Sequence, residues 1–312
     1  MQRSANLQFI VTRKSVTLDQ VGMLAIMAYG GVQVSSRWPF TIILLMIFPM
    51  VVAGQASQLV DIGGHSLDVL RSGSGAPAVI LESGLGDTLE AWVKLCPAAA
   101  RFSTVVAYSR AGLGRSELGP RDHSAKSAVV ELHELLRRLQ LKPPYILVGR
   151  SYGGILVRLY TSLYPEDVAG LVIVDGSHEQ QVKRYGSLDS TYPAAFRDSF
   201  ESKLHTLKPG AEADENRESL RIQTAGAVEG MRPLPDIPIA VLTSMKLDPT
   251  SKFVNQTASG HEAWRAMHEE WFRCSRNGLH IVTTRSGHQI QLEEPELVIQ
   301  AIQFVLDRVR NH

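Results

Sequence analysis

Several features that often reveal a protein's class are scarce in this sequence. Its 312 residues include only two cysteines, no internal repeat and no prominent run of like charges. Lysine and arginine number 32 and aspartate and glutamate number 31, which gives a formal net charge of +1. Proteins that bind nucleic acids usually present a basic stripe, so the charge gives no reason to expect a nucleic-acid partner.

The sequence also lacks a metal-ligand motif. His178 and Glu179 have no second cluster at metal-ligand spacing, and the two cysteines, Cys96 and Cys274, do not form such a motif. We therefore expect no metal and no cofactor. In an oxidising compartment the cysteines could form a disulfide, or they could equally be two small buried hydrophobic residues.

The N-terminal part differs from the rest of the chain. A basic residue precedes an apolar stretch over residues 40–52, and small residues follow around Ala53 and Ala56. This order predicts a signal peptide over about residues 27–56, cleaved near one of those alanines. The apolar stretch is short for a bilayer span and contains Pro49, which favours cleavage over a permanent anchor or a buried segment.

Export would make the mature protein secreted or periplasmic, with no stable membrane span after cleavage. The apolar stretch begins late for a signal, and Met27 would give the customary length, so residues 1–26 could result from the choice of start codon. We expect an N-terminal extension over residues 1–57 and one domain over residues 58–312. The composition, 44% hydrophobic and 20% charged, is that of a globular protein with a full core.

From residue 58 onward, short apolar runs alternate with helical patterns. Two runs flanking Gly63 and Gly64 predict an antiparallel strand pair. Further strands are predicted in "PAVILESG", "STVVAYSR", "YILVG", "AGLVIVDG", "IPIAVLTS" and "LHIVTTRSG". Helices are predicted in "TLEAWVKLCPAAA", "SAKSAVVELHELLRRL", "GGILVRLYTSLYP", "SGHEAWRAMHEEWFRCS" and "PELVIQAIQFVLDRV". This alternation predicts an α/β fold, a mostly parallel sheet with helices on both faces.

The alternation pauses over about residues 177–235. This stretch carries polar helical fragments and loop signals, and it is too long for a plain connection between two core strands. We predict an inserted helical lid above the carboxyl ends of the strands, where open sheets of this type bind their ligands.

Ser151 lies in Gly-Arg-Ser-Tyr-Gly, directly between a predicted strand and a predicted helix. Gly149 and Gly153 flank it, and paired glycines at such a join indicate a backbone that tolerates no side chain. In this context G-x-S-x-G typically holds a serine oxygen out as a nucleophile. A structural serine in a turn is the alternative.

A serine hydroxyl needs a base to take its proton, and His288 is the best candidate among ten histidines. It follows the last predicted strand and is preceded by Gly287, in the chain order that this motif requires. Other histidines are predicted in helices, in a turn or at the chain end: His133, His268, His65 and His312.

Together these segments resemble the α/β-hydrolase fold serine hydrolases, over roughly residues 59–309. Besides the serine turn, "ESGLGD" at 82–87 resembles the family's oxyanion loop. "YSRAGLGRS" at 108–116 resembles its D-R-x-G-x-G-x-S loop, with Ser109 where aspartate is common, and "SGHQIQLEEPELV" resembles its terminal histidine segment. The resemblance implies an oxyanion hole formed by the backbone N–H groups of Leu85 and Tyr152.

The resemblance leaves two candidates for the acid that orients the histidine. Asp248 has the commoner location in the family, but it precedes His288 by 40 residues and lacks the usual neighbouring glycine. Asp175 follows a strand directly, where a short side chain can reach an imidazole. We favour Asp175, with Asp248 as the alternative and with Glu82 and Asp87 as weaker candidates.

Arg150 is unusual within the serine motif. Long arginines usually find a partner when partly buried, so we favour pairing with an acid beneath the lid over attraction of a carboxylated substrate.

The sequence predicts a monomeric or weakly associating enzyme that hydrolyses carboxylic esters. Its expected substrates are small molecules that carry an acyl group. Amides, lactones, thioesters and carbon–carbon bonds are alternatives on the same triad, and a non-catalytic binding protein is the other class.

Overall fold

The structure is a computed structural model, and it describes residues 56–311 except 121, 249 and 252. It also gives the backbone of two short strands near the N-terminus. The predicted signal peptide, about residues 27–56, lies almost entirely outside the described residues and stays a prediction.

Among the described residues, ten strands form one mixed sheet. In chain order they are β1 Gln8–Val11, β2 Lys14–Val16, β3 Gln58–Asp61, β4 Ser66–Ser72, β5 Val79–Glu82, β6 Val105–Tyr108, β7 Tyr145–Arg150, β8 Val168–Val174, β9 Ile239–Ser244 and β10 Gly278–Thr283. Their order across the sheet is β2-β1-β10-β9-β8-β7-β5-β6-β4-β3. The six central strands, β10-β9-β8-β7-β5-β6, are parallel to one another. The two strands at each edge of the sheet pair in the antiparallel direction.

The central strands read as continuous apolar runs because both faces of the sheet are covered. Every residue of β5, β7 and β9 is buried. Successive residues point to opposite faces, so Leu147 joins the core on one face and Val148 the core on the other. The predicted α/β fold with a mostly parallel sheet is confirmed.

Nine α-helices are described. They are α1 Cys96–Ala99, α2 Ala125–Arg138, α3 Tyr152–Leu163, α4 Gln181–Gly186, α5 Tyr192–Thr206, α6 Ala211–Ala225, α7 Ala258–Arg273, α8 Ile290–Glu293 and α9 Pro295–Arg310. Helices α2 and α3 and the end of α7 pack on one face of the sheet, and α1 and α9 pack on the other.

One predicted helix is wrong in length. The segment 88–100 forms a 3-10 turn at Leu89–Ala91 and only one α-helical turn, Cys96–Ala99. Pro97 explains the break, because proline is tolerated in the first turn of a helix and not in its interior. Trp92 and Leu95 are nevertheless buried against the sheet, which accounts for the apolar pattern.

Helices α4, α5 and α6 form the segment inserted between β8 and β9. Apolar residues of α4 and α5 pack with Val254 and with Met267 of α7 in a small separate core.

No helix among the described residues has the length and apolar character needed to cross a bilayer. Both cysteines are free thiols, Cys96 in the interior and Cys274 at the surface, so they form no disulfide with each other.

Two buried histidines bracket a threonine between α7 and the end of the sheet. The Oγ1 atom of Thr243 lies 2.6 Å from Nδ1 of His268 and 2.7 Å from Nε2 of His280. Burial lowers the pKa of His268 to about 4 and that of His280 to about 3. Both imidazoles are therefore neutral in the folded protein near pH 7.

We predict that the protein loses stability as the pH falls from about 6.5 to 4. A histidine in the unfolded chain has a pKa near 6.5, so in this range the unfolded state binds more protons than the folded state. Each such group changes the free energy of unfolding by up to about 1.4 kcal/mol per pH unit. Urea unfolding at several pH values should show a shallower pH dependence for His280→Gln than for the wild type.

Exposed His205 of α5 provides the control. His205→Gln should keep the wild-type pH dependence, since this exposed side chain can be replaced without disturbing a buried contact. Equal pH dependence in His280→Gln and the wild type would contradict the prediction.

Candidate active site

Ser151 occupies a sharp turn between the end of β7 and the start of α3. Its backbone has φ 52° and ψ −120°, a positive φ that costs free energy for a residue with a side chain. Three hydrogen bonds hold the turn. Its N–H donates to the carbonyl of Val174 at 3.2 Å, and its carbonyl accepts from the N–H groups of Gly154 at 2.9 Å and Ser177 at 2.8 Å.

The two flanking glycines allow the backbone to pass without a clash. A Cβ atom on Gly153 would lie 2.5 Å from the carbonyl oxygen of Glu82, and one on Gly149 would collide with the carbonyl of Gly153. These contacts involve backbone atoms, which cannot move aside cheaply. The interpretation of the paired glycines as sites of close approach is confirmed.

His288 forms a hydrogen bond with Asp175 across 113 residues of sequence, with 2.7 Å between Nδ1 and Oδ2. The other carboxylate oxygen, Oδ1, accepts from the backbone N–H of Ser244 at 2.9 Å and from the indole N–H of Trp264 at 2.8 Å. Asp175 is buried. Burial alone would raise its pKa, but the bond and charge of His288 and the bond from Trp264 outweigh this and lower the pKa.

Asp248, the alternative acid, does not reach His288 through a hydrogen bond in the described structure. Its carboxylate accepts from the N–H of Thr250 at 2.9 Å and from the hydroxyl of the same residue at 2.6 Å. These are the bonds of an aspartate that stabilises a turn. Asp248 is exposed, so the structure brings Asp175 and not Asp248 to the histidine.

Ser151, His288 and Asp175 line the same pocket, of about 470 Å³. The pocket lies at the carboxyl ends of the parallel strands, since the three residues follow β7, β10 and β8. One wall is aromatic, and three of its four side chains belong to the inserted segment: Tyr185, Phe196, Phe200 and Trp264. Leu85 and Tyr152 also line the pocket.

Tyr152 is the first residue of α3. The first backbone N–H groups of a helix have no partner within the helix and carry its partial positive charge. Leu85 follows β5 in the loop that the sequence resemblance assigns to the oxyanion. Both predicted donors therefore belong to segments that line the same pocket as Ser151.

Arg110 anchors the loop that carries Leu85. Its guanidinium donates to the carboxylate of Glu82 at 2.6 Å, to the carbonyl of Ser83 at 2.9 Å and to the carbonyl of Gly84 at 2.7 Å. Glu82 also accepts from the hydroxyl of Tyr108. Glu82, a weaker candidate for the triad acid, is thus committed to this network.

The same arginine ties the inserted segment to the loop. Its guanidinium also holds Glu215 of α6, with 2.5 Å from Nε to Oε1 and 2.8 Å from Nη2 to Oε2. Oε2 of Glu215 accepts in turn from the N–H of Gly86 at 3.0 Å. Sequence reasoning missed this network; the only signals were an arginine in the "YSRAGLGRS" segment and a glutamate closing an apolar strand.

Arg150 pairs with Asp87 of the same loop and is buried. The structure therefore agrees with the prediction that Arg150 pairs with an acid, and it commits Asp87, the other weaker acid candidate, to that pair. Among the residues that the structure describes, no group of histidine, cysteine, aspartate and glutamate side chains could hold a metal ion.

Comparison with known proteins identifies the family to which this fold belongs. Residues 77–236, slightly more than half of the chain, match the alpha/beta hydrolase fold family. The chain belongs to this family. It is 27% identical to the uncharacterised protein YqjL of Bacillus subtilis over 232 residues, which are 74% of this chain and 84% of YqjL.

Solved structures of hydrolases share the fold of this alpha/beta hydrolase family member. An esterase from Thermogutta terrifontis superposes with a TM-score of 0.57 at 17% identity, covering 81% of this chain and 98% of the esterase. An enol-lactonase from Burkholderia xenovorans superposes with a TM-score of 0.54 at 14% identity, covering 80% of this chain and all of the lactonase. At such identities the likeness establishes the fold alone.

We predict that Arg110→Met destabilises the protein by about 3–5 kcal/mol, because removing one partner of a buried ion pair leaves an uncompensated buried charge. Here two carboxylates, those of Glu82 and Glu215, would be left. Urea unfolding measures the effect. The matched control is Arg197→Met, which removes an exposed arginine from surface ion pairs on α5 and should change the stability by no more than about 0.5 kcal/mol. Equal losses in the two variants would refute the assignment.

Proposed function

We propose that this protein is a serine hydrolase that cleaves carboxylic esters through an acyl-enzyme on Ser151. The observation that carries the proposal is the hydrogen bond between His288 and buried Asp175 at the pocket that Ser151 also lines. The strained turn at Ser151 supports it, since such strain persists where surrounding structure enforces it and is common at active sites.

The bond to Asp175 fixes which nitrogen of His288 can act as a base. An ionised carboxylate only accepts hydrogen bonds, so Nδ1 carries the proton and Nε2 is free to take one. In the proposed reaction Ser151 attacks the ester carbonyl and its proton passes to Nε2. Asp175 keeps the imidazole in this tautomer and stabilises the cation that forms.

The negative oxygen of the tetrahedral intermediate would be held by the backbone N–H groups of Leu85 and Tyr152. Losing one such donor typically costs about 3 kcal/mol of transition-state stabilisation. His288 then gives its proton to the departing alcohol. Water attacks the acyl-enzyme with His288 again as base, which releases the carboxylic acid and restores the Ser151 hydroxyl.

Ester hydrolysis is proposed because it requires nothing beyond these parts. The same triad can act on amides, lactones, thioesters or carbon–carbon bonds, because fold does not fix the substrate. We further propose that residues 177–235 act as a lid, since α4 to α6 supply side chains of the pocket wall. Secretion also remains part of the proposal, on the N-terminal pattern alone.

The first test separates catalysis from ligand binding and identifies the acid. Ser151→Ala should abolish both ester hydrolysis and labelling by a fluorophosphonate, which reacts with an activated serine. Asp175→Asn should lower kcat by about 10⁴, as expected when the histidine loses its orienting carboxylate. Asp248→Asn is the matched control and should stay within about fivefold of the wild type.

Two results would contradict this proposal. Folded wild-type protein that is never labelled would favour a binding protein. A larger loss in Asp248→Asn than in Asp175→Asn would instead transfer the acid role to Asp248.

The second test concerns the acyl group. Each buried methylene contributes about 0.8 kcal/mol, so kcat/KM for p-nitrophenyl esters should rise up to about fourfold per carbon until the pocket of about 470 Å³ is filled, and should fall beyond that. Phe200→Ala removes one ring from the aromatic wall and so enlarges the pocket. The acyl length with the highest kcat/KM should therefore become longer. A wild type that reacts with fluorophosphonate but hydrolyses no ester in the panel would exclude ester hydrolysis and favour another acyl substrate.

A further inference from the structure

Asp175 has a backbone conformation that needs external support. Its φ is 43°, a left-handed value that disfavours residues with side chains. It follows the last residue of β8 directly, and its N–H donates to the carbonyl of Leu242 on the neighbouring strand at 2.8 Å. One backbone bond does not fix where the carboxylate points, so other contacts must decide it.

Trp264 of α7 restricts the carboxylate itself. Its indole N–H and the N–H of Ser244 both donate to Oδ1 of Asp175. With Oδ1 occupied by two donors, the carboxylate rotamer is set and Oδ2 is the oxygen that faces His288. Hydrogen bonds to charged groups contribute more than bonds between neutral groups, so the indole is a substantial part of this support.

His268, one helical turn after Trp264, restricts the backbone of Gly176, the residue that follows Asp175. Its Nε2 lies 2.9 Å from the carbonyl oxygen of Gly176. A carbonyl can only accept, so Nε2 of His268 carries the proton and its Nδ1 is an acceptor. The hydroxyl of Thr243 must then donate to Nδ1, and it accepts from Nε2–H of His280 in turn.

The resulting chain of donors has one consistent direction, from His280 through Thr243 and His268 to the carbonyl of Gly176. The lowered pKa values of both histidines, about 4 and about 3, agree with the neutral tautomers that this direction requires. His268 is fully buried and does not line the pocket. His268 therefore supports the backbone after Asp175, through its bond to Gly176, without contacting a molecule in the pocket.

We propose that Trp264 and His268 are positioning residues that hold Asp175 and Gly176 from one face of α7, so that the carboxylate faces His288. Residues four apart lie on the same side of a helix, which lets the two donors bond to adjacent residues of the loop. The importance of this support for turnover rests on the proposed function, in which Asp175 is the acid of the triad. The support also explains how an acid directly after β8 can serve in place of Asp248.

Trp264 is tested against another tryptophan of the same helix. Trp264→Phe keeps an aromatic ring and removes the indole N–H, and it should lower kcat by about tenfold. Trp271→Phe makes the same change where no bond to Asp175 exists, and the phenylalanine ring keeps the stacking that Trp271 makes on His268 and on His178. The control should keep kcat within about twofold even if it lowers the melting temperature.

His268 is tested with two amides of different length. His268→Gln can place an N–H near the position of Nε2 and should retain most of kcat. His268→Asn is too short to reach the carbonyl of Gly176 and should lower kcat by about five- to tenfold. KM should change by less than about twofold in both variants, because His268 does not line the pocket. A purely structural role would not separate Asn from Gln in this way.

A measurement independent of turnover distinguishes failure of this proposal from failure of the proposed function. The proton between His288 and Asp175 should give a proton NMR resonance far downfield of the amide protons, absent in Asp175→Asn. It should shift or broaden in Trp264→Phe and His268→Asn and stay unchanged in Trp271→Phe. If the wild type shows this resonance but hydrolyses nothing, the proposed function fails and the resonance still tests the positioning.

Two outcomes would overturn the positioning proposal. One is an unchanged resonance together with unchanged kcat in Trp264→Phe and His268→Asn. The other is a loss of activity in all four variants that follows only their loss of stability. If His268→Asn does not fold, the two tryptophan variants decide the question.

Discussion

The proposed chemistry depends on one hydrogen bond, between His288 and Asp175, and on the sheet that makes it possible. The two residues are 113 positions apart, yet each follows a parallel strand, and parallel strands end at the same edge of a sheet. Ser151 follows a third such strand. The order of β7, β8, β9 and β10 in the sheet thus determines which side chains can meet, and the loops decide only their final orientation.

This arrangement includes several groups that reduce stability. Ser151 and Asp175 have positive φ values, and such strained residues cost about 1–3 kcal/mol each. Arg110 and Glu82 are buried charges, and desolvation can cancel the attraction between such charges. The apolar surface buried by the central strands, of which β5, β7 and β9 are buried at every residue, offsets these costs. The buried ion pairs therefore act mainly by fixing position, because one guanidinium holds the loop after β5 and helix α6 together.

The sequence was most informative where local patterns suffice. Strand–helix alternation predicted the sheet, and the glycines around Ser151 predicted its turn, since both signals lie within a few residues. The sequence favoured Asp175 over Asp248 without deciding between them, because the decision depends on distances between separate loops. Glu215 was missed for the same reason: its partner Arg110 is 105 residues away, and α6 reads as an ordinary polar helix. The segment 88–100 keeps an apolar pattern typical of a helix because Trp92 and Leu95 are buried, although Pro97 allows only one helical turn.

The aromatic wall of the pocket contains residues of two different kinds, and this difference limits how the site can change. Phe200 packs against Phe196, with ring centroids 4.7 Å apart, and has no polar group, so its replacement alters mainly the shape of the pocket. Trp264 lines the same pocket and also donates to Asp175. A substitution of Trp264 that changes the size of the pocket would therefore also change the hydrogen bonding of Asp175. In the inserted segment the two effects are separate, because Phe200 lines the pocket while the bonds to Oδ1 of Asp175 come from Ser244 and Trp264.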